Sequence, residues 1–348
     1  MVKYCTVENT GGGPAVGGGI YAVGDVDIEA SSVRGNKVLS TTSNARAGGV
    51  FAGGRITLTG ASITDNEIVG ATQARGGGLY AQGGLTAKYA MIGKNTATTI
   101  SGSGSTPSTA GGAWVSAGEV NLIQRSTVYE NTADNAAALL LGGAGGSAPS
   151  AGETTIAQST IANNRSNATQ RLSGGAIRVL QSTKIHNSTI SGNIETNALD
   201  NKYGAGLHLS ANTPLDLIST VISGNHLEKS NATIAASDVS SSDTVNPPTI
   251  SGDHNLISFP MYVTYPTDTI TAEAANLGPL QDNGGVTLTM LPPDGSPVID
   301  AGTSNSYTTD QRGAGFDRTT GTATDIGAVE FDPTPPDGPI FSDGFEGN

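Results

Sequence analysis

The sequence predicts an all-β fold, a single-stranded right-handed parallel β-helix of about eight coils that ends in a C-terminal capping region. Three observations carry this prediction. An aliphatic residue three positions before an asparagine recurs about every 30 residues, apolar residues alternate before it, and a glycine-rich segment opens each repeat. Repeats of this length, built from short strands without helical periodicity, are typical of stacked solenoid coils.

The repeated asparagine is the first element. Seven copies lie in register, and successive asparagines are 30, 29, 36, 33, 29 and 32 residues apart. Equivalent positions of a solenoid stack ~4.8 Å apart, so these amides should form one hydrogen-bonded column. The seven pairs are Val33/Asn36, Ile63/Asn66, Ile92/Asn95, Val128/Asn131, Ile161/Asn164, Ile190/Asn193 and Ile222/Asn225.

The residues before each pair alternate as in a half-buried strand. An antiparallel sandwich is the alternative fold, but it needs hairpin turns, and Asn-Gly and Asp-Gly pairs are scarce inside the repeats. The side chains expected to face inward are Ile28, Leu58, Ala87, Ile123, Ile156, Ile185 and Leu217. Those expected to face outward are Asp27, Thr57, Thr86, Leu122, Thr155, Lys184 and Asp216.

The glycine-rich segment predicts a second strand with outward aromatic residues in three consecutive coils. Tyr21, Phe51 and Tyr80 hold this position, whereas Trp114 is assigned to the internal column. Stacked rings on a flat sheet form a platform for sugar rings or a partner protein. The alternative is that insertions preceding the strand cover the rings. These insertions are residues 37–47, 67–75, 96–110, 165–173 and 194–203.

Composition limits the classes of function. The formal net charge of -13 disfavours phosphate backbones, so we expect no nucleic-acid partner. No apolar stretch reaches the ~18 residues that span a bilayer. Cys5 is the single cysteine, which excludes an internal disulfide, and we expect a monomer. The first residues lack the apolar core of a signal peptide and already match the repeat, so Met1 is expected to begin a trimmed or mature chain.

Two groups of residues are candidates for chemistry. The basic group is Arg178, Lys184, His186 and His208, since a polysaccharide lyase needs a base that abstracts a proton. Arg178 and His208 share one repeat position and should stack one coil apart. Lys184 shares a column with Asp216, so the alternative is an ion pair between neighbouring coils.

The acidic group is Asp25, Asp27 and Glu29, which lie on one strand. Their carboxylates suit calcium, although alternation on a solvated strand produces the same pattern. No metal or other cofactor is otherwise expected.

Gly-Gly-Ala-Ile at 174–177, paired with aliphatic-x-x-Asn, resembles the repeats of polymorphic outer-membrane adhesins and related bacterial β-helix proteins. The resemblance covers residues 1–257, the predicted β-helix domain. It implies the fold but not one function, because β-helices also serve as lyases, hydrolases and phage tailspikes.

The segment that follows resembles the choice-of-anchor Q region of bacterial surface proteins. The resemblance covers about residues 277–331, within a predicted cap of residues 258–331, and implies export and surface residence. A proline-rich linker and tail occupy residues 332–348. The motifs are Leu-Gly-Pro-Leu-Gln-Asp-Asn-Gly-Gly (277–285), Gly-Ser-Pro-Val-Ile-Asp-Ala-Gly (295–302), Asp-Gln-Arg-Gly (310–313) and Asp-Ile-Gly-Ala-Val-Glu (325–330).

The sequence therefore indicates an extracellular or cell-surface bacterial β-helix that serves adhesion or glycan binding. Its expected partner is a polysaccharide or a host or cell-surface protein. The alternatives are a polysaccharide lyase or glycoside hydrolase, and a structural surface stalk without a specific ligand. Neither the ligand nor the anchoring route follows from the residues.

Overall fold

The computed structural model describes residues 1–100, 108–143, 150–167, 174–198, 204–210, 213–229, 234–241 and 243–332. Within these ranges the chain forms a right-handed parallel β-solenoid of about seven turns, with no helix. The predicted fold class is therefore confirmed. Four long sheets and one short sheet run along the axis, and the long sheets have eight or nine strands each.

Successive coils add parallel strands to the long sheets in the same order, except that Ile234–Ala236 pairs antiparallel with the preceding strand, His226–Lys229. Sheet I contains Val2–Lys3, Ser32–Arg34, Ser62–Thr64, Met91–Gly93, Thr127–Tyr129, Thr160–Ala162, Thr189–Ser191, Val221–Ser223 and Leu256–Ile257. Sheet II contains Thr6–Asn9, Lys37–Ser40, Glu67–Gly70, Thr96–Thr99, Thr132–Ala133, Arg165–Asn167, Ile194–Ala198, His226–Lys229 and Ile234–Ala236. A short sheet of Ala15–Val16, Ala45–Arg46 and Ala74–Arg75 follows it.

Sheets III and IV complete the coil. Sheet III contains Ile20–Ala22, Val50–Ala52, Leu79–Ala81, Ala113–Ser116, Leu139–Gly143, Ile177–Val179, Leu207–Leu209, Val239–Ser241 and Pro260–Met261. Sheet IV contains Val26–Glu29, Ile56–Thr59, Leu85–Lys88, Asn121–Gln124, Ser150–Ala157, Gln181–His186, Leu215–Ile218 and Ile250–Asp253.

The predicted asparagine column is confirmed. It lies at the corner between sheets I and II, where the Oδ1 of each asparagine accepts bonds from the backbone N and the Nδ2 of the asparagine one coil before it. For Asn164 and Asn193 these distances are 3.0 and 2.9 Å. The column runs from Asn36 to Asn225 and ends on Asp238, whose Oδ1 takes the same two bonds. All seven asparagines of the column, from Asn36 to Asn225, are buried.

The predicted inward positions of sheet IV are confirmed as well. Leu58, Ile123, Ile156, Ile185 and Leu217 are fully buried and belong to one continuous core. The residues between them are half-buried or exposed, as period-two alternation requires. Parallel register keeps each column in line, since Ile156 lies opposite Ile185 and Ile185 opposite Leu217.

The C-terminal region has two parts. Residues 258–276 close the end of the rod, where Pro260–Met261 extends sheet III and the Ile270 amide donates to Asn255 O at 2.8 Å. Residues 277–331, called the strap below, turn back and lie along the side of the rod. The structure therefore divides the predicted cap into an end cap and a lateral strap.

The strap is fixed at the corner between sheets IV and I, where each coil has one residue with positive φ. In four consecutive coils these corner residues are Arg125, Gln158, Asn187 and Ser219. The bonds are Arg125 Nη2 to Thr309 O at 3.3 Å, Gln158 Nε2 to the same oxygen, Asn305 Nδ2 to Asn187 Oδ1 at 3.0 Å, and Thr303 N to Ser219 Oγ at 2.9 Å.

Buried ion pairs hold the strap together where regular secondary structure is lacking. Arg312 pairs with Asp310 at 2.6 Å, and Arg318 pairs with Glu330 at 2.9 Å. Burial raises the pKa of Glu330, and the neighbouring Arg318 charge opposes this shift. Asp310, Arg312 and Glu330 of the strap motifs thus contribute to its folding.

Candidate functional site

The outward column of sheet III begins with four stacked aromatic rings. The ring centroids of Tyr21 and Phe51 are 5.2 Å apart, those of Phe51 and Tyr80 5.5 Å, and those of Tyr80 and Trp114 4.1 Å. The assignment of Trp114 to the internal column is wrong, because Trp114 lies directly opposite Tyr80. Two glycines precede Ala113 just as two precede Val50, so the spacing places Trp114 in the outward position that Phe51 holds.

Most of this aromatic column is inaccessible. Tyr21 is 57% exposed, whereas Phe51, Tyr80 and Trp114 are 6%, 3% and 5% exposed. The Arg46 guanidinium lies 5.6 Å from the Tyr80 ring centre, and Arg75 lies 5.5 Å from that of Trp114. The rings of Phe51 and Tyr80 therefore stack on their neighbours within the protein and leave Tyr21 as the exposed end of the column.

The same column continues through Leu140 to Arg178 and His208, which lie opposite each other as predicted. His208 is buried, and its Nδ1 is 3.0 Å from Ser240 Oγ. Burial, with a smaller effect of the Arg178 charge, lowers the pKa of His208 to about 3. The imidazole is therefore neutral at ordinary pH and has almost no contact with solvent.

The other two basic candidates lie on sheet IV, so the structure does not bring the four together. Lys184 and His186 belong to a polar cluster on its outer surface, together with Glu153, Asp216 and Ser251. Lys184 Nζ is 3.0 Å from Glu153 Oε2, His186 Nε2 is 2.9 Å from Asp216 Oδ2, and Ser251 Oγ donates to Asp216 Oδ1 at 2.8 Å.

The expected ion pair between Lys184 and Asp216 is not formed. The two residues are neighbours in register, but each pairs diagonally, Lys184 with Glu153 and Asp216 with His186. The long lysine side chain reaches the preceding coil, while Ser251 and His186 already occupy the Asp216 carboxylate. Glu153 and Ser251 were missed from the sequence. Ser251 lies directly opposite Asp216, and Glu153 lies two residues before Thr155, the residue opposite Lys184, so both positions were usable signals.

The cluster belongs to a longer surface, called the polar strip below. The strip is the outward column of sheet IV, and all eight of its side chains are half-buried or exposed. Seven of the eight are polar. Its members, in register along the rod, are Asp27, Thr57, Thr86, Leu122, Thr155, Lys184, Asp216 and Ser251.

The acidic candidates stand at the first strand of sheet IV. Asp27 and Glu29 are exposed on its outer surface, and Asp25 precedes the strand and accepts a bond from the Arg55 backbone N at 2.7 Å. In the part of the chain that the structure describes, no three His, Cys, Asp or Glu side chains are grouped closely enough to hold a metal ion.

Comparison with protein-family models finds no match, and comparison with curated proteins finds no matching sequence. None of the described residues belongs to a helix of the length and hydrophobicity needed to span a membrane. The function is therefore argued from the geometry of the rod.

Proposed function

We propose that the chain is an extracellular or surface-displayed rod that binds a polysaccharide along the polar strip. The observation that carries the proposal is the register of the strip, in which hydroxyl, carboxylate and ammonium groups recur one strand spacing apart, ~4.8 Å. A polymer with repeated hydroxyl groups meets a donor or acceptor at each step. Its affinity then accumulates over several coils.

The other three long sheets are less suited to a polymer. The strap covers sheet I around Thr127, Thr160 and Thr189. The Gln311 side chain hydrogen-bonds the hydroxyls of Thr127 and Thr160, and the Ala328 backbone N donates to the Thr189 hydroxyl. The aromatic column of sheet III is buried beyond Tyr21. Sheet II also has an open polar column, but the outward positions beside it include the apolar Leu39 and Val69 in consecutive coils. Sheet IV is preferred because its outward surface carries the polar cluster, in which two carboxylates are paired with a lysine and a histidine.

The net charge of -13 selects among ligands. A polyanion would be repelled by the surface as a whole, whereas a neutral or cationic polysaccharide would not. The likeness of residues 277–331 to anchoring regions of surface proteins supports a location outside the cell. A neutral or cationic glycan of a cell surface is therefore the proposed ligand class.

The test is binding of the full chain to immobilised neutral and cationic polysaccharides. The variant Thr86→Ala/Thr155→Ala/Lys184→Ala removes three polar groups from the strip without touching the core. At about 0.5–1.5 kcal/mol for each hydrogen bond, affinity should fall on the order of tenfold to a thousandfold.

The matched control is Thr96→Ala/Thr132→Ala, which removes two half-buried hydroxyls from the outer surface of sheet II. This variant should bind like the unmodified chain. Equal binding by the strip variant, or no binding to any polysaccharide by the unmodified chain, would contradict the proposal and favour a structural stalk.

A second candidate function rests on the polar cluster. Glu153 and Asp216 are carboxylates on one sheet, and each is paired with a basic side chain, Lys184 or His186. Such groups carry acid–base steps in glycan cleavage. Release of reducing ends or of unsaturated products absorbing in the ultraviolet, abolished by His186→Ala, would establish the enzyme; a neutral glycan bound without cleavage would establish the binding protein.

A further inference from the structure

A cavity of about 390 Å³ lies within the strap, apart from the polar strip. Its lining combines two aromatic rings, one arginine and several polar side chains. The lining residues are Asp282, Asn283, Leu291, Pro292, Arg312, Gly315, Phe316, Asp317, Thr320, Phe331 and Asp332.

Two glycines of the 277–285 motif make the wall of this cavity possible. Gly284 has φ +92°, and a Cβ there would overlap the Phe316 ring. Gly285 has φ +82°, and a Cβ there would overlap the Arg312 carbonyl oxygen. Glycine alone combines this backbone conformation with such close contact. The motif therefore places the Phe316 ring and Arg312 side by side.

Arg312 is fixed before any ligand arrives. It is 8% exposed, and its guanidinium carbon lies 4.1 Å from the Phe316 ring centre. Its Nε and Nη2 donate to Asp310 Oδ2 at 3.0 and 2.6 Å, and Nη2 also donates to Glu330 O at 3.0 Å. The structure gives its Nη1 no hydrogen bond to any described residue. Arg312 lines the cavity, so its Nη1 group can donate a hydrogen bond to a ligand there.

The charges around the cavity narrow the class of ligand. Asp310 neutralises Arg312, and the carboxylates of Asp282 and Asp317 lie at the cavity, so an anionic ligand is disfavoured. The carboxylates accept bonds from hydroxyl groups, Arg312 donates one, and the faces of Phe316 and Phe331 pack against C–H groups. This combination suits a neutral, polyhydroxylated ring.

We propose that this cavity is a binding site for a single neutral pyranose unit, separate from the polymer-binding strip. Cavities of about 300–1,000 Å³ hold small ligands, so the volume is sufficient. A pyranose can lie against Phe316 with its hydroxyl groups directed to Asp282, Asp317 and Arg312.

The test is saturation-transfer NMR and calorimetry of the full chain with glucose, galactose, mannose and N-acetylglucosamine, and with glucuronate as the anionic comparison. At least one neutral sugar should bind, and glucuronate should bind at least tenfold more weakly. Phe316→Ala should reduce the affinity at least tenfold. Because Phe316 also packs inside the strap, Asp317→Asn serves as a second variant that keeps the shape of the side chain, and it should weaken binding several-fold.

Lys184→Ala alters the polar strip and should leave monosaccharide binding unchanged, which keeps this test independent of polysaccharide binding. The site assignment is overturned if none of the neutral sugars binds at millimolar concentration. It is equally overturned if glucuronate binds as well as they do, or if binding persists in both the Phe316→Ala and Asp317→Asn variants.

Discussion

Asn164 shows how much a single repeated residue contributes to the rod. Its Oδ1 accepts from the N and the Nδ2 of Asn131, and its Nδ2 donates to Val128 O and to Asn193 Oδ1. Buried polar groups are costly unless they are paired, so a side chain that satisfies several of them at a tight corner is hard to replace. Glutamine is too long for this position, and aspartate lacks the donor.

Asp238, the last acceptor of the asparagine column, differs from the asparagines because its carboxyl group can be titrated. Burial raises the pKa of Asp238 from 3.8 to about 6, although bonds from Asn225 and Phe259 oppose the shift. A carboxyl group with a higher pKa in the folded chain stabilises the fold most below its unfolded pKa. This contribution disappears as the pH rises from about 4 through 6, and it amounts to ~2–3 kcal/mol.

Asp238→Asn keeps an acceptor for Asn225 and removes the titration. The unfolding free energy of the unmodified chain minus that of the variant should therefore fall by ~2–3 kcal/mol between pH 4 and pH 7, measured by urea denaturation. Glu330 titrates in both chains, so its effect cancels in the difference. A difference that stays constant or grows with pH would show that Asp238 is not the group responsible.

At the scale of elements, sheet and strap are stabilised differently. The strands are held by backbone bonds in register, whereas the strap depends on individual side chains. Gln311 is fully buried; its Oε1 accepts from Thr160 Oγ1 at 2.6 Å, and its Nε2 donates to Thr287 Oγ1 at 3.0 Å and Thr127 Oγ1 at 3.2 Å. One side chain thus joins the strap to two coils.

Gln311→Ala should loosen the strap while the rod stays folded. The loss of several buried bonds costs ~2–4 kcal/mol, so the amides of Thr303 and Gly327, which bond to Ser219, should exchange faster in hydrogen-exchange measurements. Amides of the asparagine column should be unaffected. Gln82→Ala, at an exposed position, is the control and should change neither group. Accelerated exchange throughout sheet I would instead mean that strap and rod unfold as one unit.

The sequence predicted the rod well and the strap poorly, for a physical reason. Period-two alternation and the asparagine spacing are local signals repeated in every coil, so Leu58, Ile185 and Asn164 could each be placed from their register. The contacts of Thr309 with Arg125 and Gln158 join residues far apart in the chain, and nothing near either end marks them. For the same reason, the cavity around Phe316 could not be predicted.

For the candidate sites, the sequence predicted which residues are neighbours in register but not which side chains form ion pairs. The register gave Arg178 opposite His208 and Lys184 opposite Asp216, and both neighbours are confirmed. The ion pairs nevertheless follow diagonals, because long side chains reach past the residue directly opposite. The burial of Phe51 and Tyr80 depends on packing by side chains from outside their own strand, which periodicity does not report.

At the scale of the whole molecule, the rod is roughly 35 Å long and unequally supported. The strap spans the coils from Arg125 to Ser219, and the end cap covers the last coil. In the described residues, the strands of the first coil have a neighbour on one side only, and Val2 and Ile20 are half-buried. Solenoid stability is approximately a sum of coil and neighbour contributions, so this asymmetry should affect unfolding.

Hydrogen exchange should therefore follow a gradient along the axis. In a polypeptide of residues 1–348, amides of Val2–Lys3 and Thr6–Asn9 should exchange fastest, those of the middle coils under the strap slowest, and those of Ser32–Arg34 in between. Mass spectrometry of peptides from the intact chain measures this directly. Uniform protection along the rod, or slowest exchange in the first coil, would contradict the additive description.

The strap also restricts how the chain can change its length. Stacked coils with one repeated register tolerate the gain or loss of a whole repeat, because each new coil pairs with its neighbours as the old one did. Between Arg125 and Ser219, however, four fixed attachment points require a set number of coils beneath a strap of constant length. The coils before Arg125 can therefore gain or lose whole repeats. Beneath the strap, the number of coils is fixed by the length of the strap.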